Sequence, residues 1–238
     1  MPDYGDMHIL MAALADPRMA RRLDGPEYQV LGFLPLGAVF LFVNDRGIDT
    51  AEELAGKRMA VLDHHPDAAY MVRHVKAIPV TANMKSFAQL FNRGEVDVVY
   101  APAAAYEYLE LERGMGPNGG VIRYPVGHFT LQLIARTGEF DGPFAQRSRR
   151  ILADLYPRAM QTALRYEEAI PAARWVELPQ SAIDGYQEMI RQVRMSFVNG
   201  ASGGDLSSLY DPDMLRLMRK IRCHNDLGAS ECRSGSKE

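Results

Sequence analysis

Two runs rich in Val, Leu and Phe, residues 28–34 and 38–43, stand early in the chain, parted by Pro35 and Gly37, and read as two adjacent strands. Ahead of them, apolar side chains at helical spacing predict a helix from Met7 to Leu14 that stops before Pro17, with a second short helix over residues 17–23. The order then becomes regular. Asp49 or Thr50 is placed to cap a short helix through Leu54, Gly56 ends it, and Arg58 to Leu62 is a buried strand. A turn over residues 63–66 leads to a helix over 67–76, a strand over 78–80, a helix over 85–92 stopped by Gly94, and a strand over 96–100. An alanine- and tyrosine-rich helix follows from Pro102 to Glu112. Strand and helix alternating in this way predict an α/β domain with a mostly parallel sheet. Residues 121–124 and 130–135 read as two further strands, joined through Pro125 and Gly127 so briefly that they suit different lobes. The remainder is helical. Residues 144–169 form a helix kinked at Pro157, 181–197 present Ile183, Tyr186, Ile190, Val193 and Phe197 on one face, and 212–222 follow a Gly- and Ser-rich linker over 199–208.

A hydrophobic content of 47% with 24% charged residues gives ample material for a packed core. The net charge of −3 and the scattered Lys and Arg leave no positive stripe, so nucleic acid is not an expected partner. The longest apolar stretch, residues 30–43, is interrupted by Gly32, Pro35 and Gly37 and falls short of the roughly 20 residues a membrane-spanning helix needs. The first residues, Met-Pro-Asp-Tyr-Gly-Asp, lack the basic segment and apolar core of a secretory signal, which leaves two expectations, a cytoplasmic protein or a missing upstream part. Two cysteines, Cys223 and Cys232, stand nine positions apart around Gly228. An even count closing one short loop fits a disulfide in an oxidising compartment, with two free thiols as the alternative. His224 beside them adds too few ligands for a structural zinc site. The chain carries no Gly-x-Ser-x-Gly, phosphate-binding Gly loop, His-Glu-x-x-His or supported cysteine nucleophile, so nothing positive argues for an enzyme, and no cofactor is expected.

Leu54-Ala-Gly-Lys-Arg-Met-Ala-Val-Leu, Ala77-Ile-Pro-Val, and Phe87-Ala-Gln-Leu-Phe-Asn-Arg-Gly-Glu-Val-Asp-Val-Val-Tyr-Ala-Pro resemble, in this order, the second lobe of TRAP-type solute-binding proteins. Pro35-Leu-Gly-Ala, Phe42-Val-Asn-Asp, Ala60-Val-Leu-Asp, Ala101-Pro-Ala, Arg222-Cys and Glu231-Cys are similar to the AdeT-type members over nearly the whole chain. The resemblance implies a type II periplasmic-binding-protein-like α/β fold of two lobes with mixed, mostly parallel sheets, a helical C-terminal part and an incomplete first lobe. Residues 1–47 are then the remainder of lobe one and 48–126 an α/β lobe two. Residues 127–210 form a crossing strand with helices returning to lobe one, and 211–238 a C-terminal helix and cysteine loop. It further implies periplasmic localisation, capture of a small molecule, and delivery to a membrane transporter, with hinge motion near Asn44–Ile48 and Pro125–Phe129. An envelope adaptor without a ligand, or an enzyme using Asp63 or His64 as acid or base, are the competing expectations.

Residues that follow strands carry the candidate site, because open α/β sheets bind ligands beyond the carboxyl ends of their strands. Asp63 and His64 follow the strand that ends at Leu62, Asn83 and Met84 precede the next helix, and Tyr100 and Ala101 close the following strand. Phe129 and Gln132 belong to the crossing strand. Asp63 serves either to neutralise a cationic ligand or to cap the next helix, and adjacent His64 and His65 read as exposed loop histidines rather than metal ligands. Tyr100 and Phe129 are either a stacking wall for a ligand or ordinary core, and Tyr106 and Tyr108 read as helix packing. Arg123 and Arg136 flank the crossing segment and either meet an anionic group or stay on the surface. Where TRAP proteins for organic acids carry a carboxylate-pairing Arg, this chain has Ala60, so the resemblance implies a solute that is not a simple carboxylate.

Overall fold

The computed structural model describes residues 4–198, 210–225 and 232. In chain order the elements are α1 (Tyr4–Leu14), α2 (Ala20–Leu23), β1 (Tyr28–Val43), β2 (Arg58–Leu62), α3 (Pro66–His74), β3 (Ile78–Ala82) and α4 (Phe87–Asn92). Then come β4 (Val98–Pro102), α5 (Ala105–Tyr108), α6 (Leu111–Met115), β5 (Gly120–Ile122), β6 (Gly127–Arg136), α7 (Gly142–Asp154), α8 (Tyr156–Ala169), β7 (Trp175–Val176), α9 (Gln180–Val198) and α10 (Pro212–Asn225). The expected linker over 199–208 lies outside the described residues.

One mixed sheet organises the chain. Its strands run β3-β2-β4-β1-β5-β7, with β6 beside the other end of β1. The pairs β2–β3, β2–β4 and β5–β7 are parallel, while β1 is antiparallel to β4, β5 and β6. The two runs read from the sequence as adjacent strands are therefore one strand, β1. Pro35 and Gly37 do not end it, because the register against β6 slips at Pro35/Gly37 and again at Val30/Gly32. A bulge absorbs a residue that cannot join the ladder, which is where a proline is tolerated inside a sheet. Gly32 and Gly37 take φ of 150° and 115°, values that L side chains rarely adopt. A Cβ on Gly32 would also lie 2.4 Å from the Leu152 side chain.

β1 rather than the segment after it makes the passage between its two sets of partners. Its residues up to Val39 pair with β6, and those from Val39 onward pair with β4. Asn44–Ile48 is a turn at the end of β1, where the Asn44 N–H donates to Asp97 O and the Arg46 guanidinium donates to the carbonyls of Ala173 and Trp175. The Asp97 of the Gly-Glu-Val-Asp motif has a structural task here. It accepts hydrogen bonds from the Arg58 N–H and guanidinium and from Asn44, joining the starts of β2 and β4 to the end of β1. The Arg58 pairing holds its carboxyl below the usual range.

Other departures have local causes. The helix expected from Pro102 to Glu112 is two, α5 and α6, because Glu110 takes a left-handed φ of 51°. The helix expected over 144–169 breaks into α7 and α8 at Leu155, leaving Pro157 in the first turn of α8, where its missing N–H costs nothing. Thr50 and Glu53 exchange capping hydrogen bonds, yet residues 51–56 stay in turns rather than a helix. β7 was not foreseen, since two residues show no periodicity; it docks in parallel against β5.

The main core lies on this sheet. Phe42, Val43, Val98, Val121 and Ile122 are fully buried, with Phe91, Leu111, Tyr186 and Val193 packing on them from the helices. A second cluster joins Met7, Leu10, Met11 and Leu14 of α1 to Tyr156 and Met160 of α8 and Ile221 of α10. Cys223 of α10 is disulfide-bonded to Cys232, with a Cα–Cα distance of 5.4 Å.

At the first bulge, the Asp24 carboxylate accepts the Val30 N–H at 2.8 Å while the Arg149 Nε donates to the Val30 carbonyl at 2.7 Å. Arg149 also pairs with both Asp24 oxygens, at 2.8 and 3.0 Å, with its side chain only 3% exposed. These two side chains satisfy backbone groups around the slipped ladder. Replacing Arg149→Met should lower stability by about 2–3 kcal/mol in urea denaturation, below the full buried-pair range because Asp24 stays partly hydrated. An unchanged midpoint would show that the clamp does not hold β1.

Candidate functional site

Parallel β2 and β4 end side by side, so the turn after Leu62 and the last residues of β4 meet. Tyr100 is buried on β4, and its hydroxyl accepts the Leu62 N–H at 3.3 Å. The His65 ring comes to the same hydroxyl, with Nδ1 at 3.0 Å, and stacks on the Tyr100 ring at 6.1 Å. Phe129 reaches the pair from β6, its ring edge-on to His65 at 6.0 Å and to Tyr100 at 6.4 Å. Phe87, at the start of α4, closes the back of Tyr100 at 5.3 Å. Three of these rings, His65, Tyr100 and Phe129, thus converge past the strand ends from three elements, with Phe87 behind them. Burial pushes the Tyr100 hydroxyl up to about 12, so it stays protonated. Burial also lowers the His65 ring from its ordinary value, helped by the neighbouring His64 and opposed by Asp67.

The other expected residues take distinct places. Asp63 and His64 border the cluster as an exposed pair, with the Asp63 carboxylate 2.9 Å from His64 Nδ1. Asp63 does not cap α3; His65 stands at that position and makes no side-chain cap. Asn83 is exposed, and its Oδ1 accepts the N–H groups of Lys85 and Ser86 at 2.9 and 3.0 Å, fixing the turn before α4. Met84 beside it is 71% exposed. Ala101 is buried opposite Phe40 in the ladder. Gln132 is exposed, three residues from Phe129 on β6, and strand alternation sends the two side chains to opposite faces. Arg123 is engaged with Glu177 at 2.6 Å and with the Trp175 ring at 4.4 Å.

Sequence reasoning treated His65 only as half of a histidine pair. Nothing local marks its partner, Tyr100, 35 positions away, because only the pairing of β2 with β4 brings them together. A cavity of about 470 Å³ was also missed. It opens just past β4 and is lined by Ala103, Tyr106, Glu107, Glu110, Glu112, Arg113, Tyr166 and Ala169. It shares no lining residue with the aromatic cluster; the two flank the same strand end. Tyr106 therefore lines a cavity, and exposed Tyr108 bonds the Tyr166 hydroxyl at 2.7 Å instead of packing inside its helix. Among the described residues, no three His, Cys, Asp or Glu side chains are grouped to hold a metal ion, and no helix is long and apolar enough to cross a membrane.

A mixed α/β sheet crossed by one long strand, with an aromatic cluster past its parallel strand ends, has the architecture of the type II-like solute-binding class, whose members capture small molecules for transporters. Solved structures of that class share the fold. A TRAP periplasmic solute-binding protein from Rhodoferax ferrireducens, with bound malonate, superposes with a TM-score of 0.72 at 10% identity, over 95% of this chain and 72% of that one. The periplasmic ectoine-binding protein of the TeaABC TRAP transporter of Halomonas elongata gives 0.68 at 15% identity, over 94% and 72%. The chain belongs to the AdeT 1/2 solute-binding protein family, whose model matches residues 1–236. It is 30% identical to the probable solute-binding protein AdeT1 of Acinetobacter baumannii, over 92% of this chain and 70% of the relative, and 25% identical to AdeT2 of the same organism, over 98% and 94%.

His65 provides a pH readout of the cluster. Its folded pKa lies below the ordinary value near 6.5, so the unfolded chain binds the proton more readily. The stability tied to neutral His65 is complete above about 6.5 and is lost as pH falls through that value toward the folded pKa. His65→Gln should flatten the fall in melting temperature between pH 7 and pH 5 relative to the unsubstituted chain. Parallel curves would mean that His65 is not desolvated in the cluster.

Proposed function

We propose that the chain closes on a neutral or cationic, partly apolar small molecule at the cluster of His65, Tyr100 and Phe129, and presents it to a membrane transporter. The observation that carries this reading is the convergence of the three rings from the β2 turn, β4 and β6, supported by membership of a solute-binding family. Asp63 and His64 rim the cluster and Asn83 and Met84 lie on the next loop, placed to meet a solute on closure. Ala101 and Gln132 alternate away from Tyr100 and Phe129 and stay outside the cluster. Residues 48–126, joined by the last residues of β1 that pair with β4, act as one lobe, the rest of residues 1–47 with 127–210 as the other, and 211–238 as an appended helix and cysteine loop. The bulge at Pro35–Gly37 and the segment Pro125–Phe129 serve as the hinge, since backbone without a regular ladder absorbs rotation most readily. The disulfide supports a periplasmic location, because such bonds persist in oxidising compartments.

The ligand class follows from the groups present. Ala60 occupies the place where the organic-acid binders of the TRAP pattern carry Arg, and it is fully buried in β2. His65 is biased toward its neutral form, so no fixed cation stands among the three rings. The solved neighbours with bound malonate or orotic acid hold carboxylates, and this site lacks the charge to do the same. Aromatic faces attract cations and apolar surfaces.

A thermal-shift screen of amines, aminoglycosides, nucleosides, sugars and organic acids tests the reading. Amines or neutral solutes should raise the midpoint saturably, by about 2.7 kcal/mol of stability at 100 times Kd. Phe129→Ala should weaken that binding by about 2- to 10-fold, the scale of one aromatic contact. A response to organic acids alone would refute the ligand class, and a folded protein that responds to nothing would refute solute capture.

A further inference from the structure

α9 lies on α3, where the Phe197 ring meets Tyr70 at 5.1 Å and Gln192 reaches the His74 ring at 3.2 Å. α10 belongs elsewhere. Leu217, Met218 and Ile221 join the second cluster with α1 and α8, and Asp213 pairs with Arg22 of α2. Tyr210 stands just before α10, three residues from Asp213, yet its contacts are with α9 and α3. Its ring stacks on Phe197 at 4.7 Å and its hydroxyl donates to the Asp67 carboxylate at 3.1 Å. Three residues of chain therefore connect the helices on the main sheet to the cluster around α1.

Asp67 is the acidic residue in the first turn of α3, two positions past His65, a place where the helix N-terminus favours a carboxylate. It acts on both polar members of the ring cluster, since its charge favours protonated His65 and opposes ionisation of Tyr100. The other groups facing His65 are His64, which opposes its protonation, and the Tyr100 hydroxyl at 3.0 Å, while Asp63 is paired with His64. Around Tyr210 the charged groups are Asp67 and Arg194. Burial and the Asp67 carboxylate push the Tyr210 hydroxyl above its ordinary value, so it remains a donor. A carboxylate that accepts such a hydrogen bond is held in one orientation and shares its charge with the donor.

We infer, on the reading of the ring cluster as the solute site, that Tyr210 is a positioning residue for it: Tyr210 holds the Asp67 carboxylate in place beside the His65 turn and ties that turn to the C-terminal segment. Displacement of α10 together with α1 pulls on Tyr210 first, and Asp67 passes that displacement on as a change in the field at His65.

An NMR titration of His65 in the full chain without solute, assigned by the signal lost in His65→Gln, reads that field. Tyr210→Phe keeps the stack on Phe197 and releases the carboxylate toward the imidazolium, so the His65 midpoint should rise. Asp67→Asn should lower it, because a charge that favours the protonated ring is gone. In the Asp67→Asn background, adding Tyr210→Phe should leave the midpoint in place, since the effect runs through the pair. A midpoint unmoved or lowered by Tyr210→Phe alone overturns the inference. So does an equal rise in the Asp67→Asn background, which loosening of the fold around His65 would produce without any role for the hydrogen bond. No solute enters the titration, so its failure is distinct from a failure of the thermal-shift screen. A chain that binds no solute and still shows the two opposite shifts refutes the solute site and keeps the linkage from Tyr210 through Asp67 to His65.

Discussion

The sixteen residues of β1 must satisfy hydrogen bonds to three other strands, and most of the fold follows from how they do so. A strand of this length cannot stay regular when its partners change, because register against one set fixes the side-chain faces presented to the next. Bulges at two glycine positions relieve the conflict, and the Asp24–Arg149 pair supplies hydrogen bonds to Val30 beside the first slip. The helices that pack on this strand are fitted to the same glycines. Leu152 of α7 lies where a Gly32 side chain would be, and Ala163 of α8 stands 3.1 Å from where one on Gly37 would be.

The candidate site inherits its geometry from this strand. Tyr100 sits across from Leu41 and Phe129 across from Gly37, so the two rings are attached to points four residues apart along β1. Four residues of strand extend about 13 Å, yet the ring centroids are 6.4 Å apart, so the side chains lean toward each other over the point where β1 changes partners. A rotation at the bulge would change that separation directly. The cluster thus spans the point where β1 changes partners.

The alternating helices and strands between Arg58 and Pro102 were legible because each is bounded by its own signals: Gly56 before β2, Gly94 after α4, and apolar runs between. The same local signals misled at Pro35 and Gly37, which normally end a strand and here sit in a bulge held by β6, almost a hundred positions later. Of the site, Tyr100 and Phe129 were legible from their places at a strand end and on the crossing strand. His65 was not, since its significance lies in a hydroxyl contributed by a neighbouring strand. Asn83 was legible as a loop residue, but its hydrogen bonds to Lys85 and Ser86 belong to turn formation.

Both ends of β6 then make sense as parts of one strand under different demands. Near Gly127 its side chains are half-buried, because β4 and the β2 turn crowd that end and Phe129 is drawn into the cluster. From Leu131 onward the apolar side chains of Leu131, Leu133 and Ile134 are exposed. Sequence composition alone would assign the whole of β6 to the interior of a sheet, since Phe, Thr, Leu and Ile in succession favour a surface packed on both sides. The difference between its two halves therefore lies in what packs against them rather than in the composition of the strand itself.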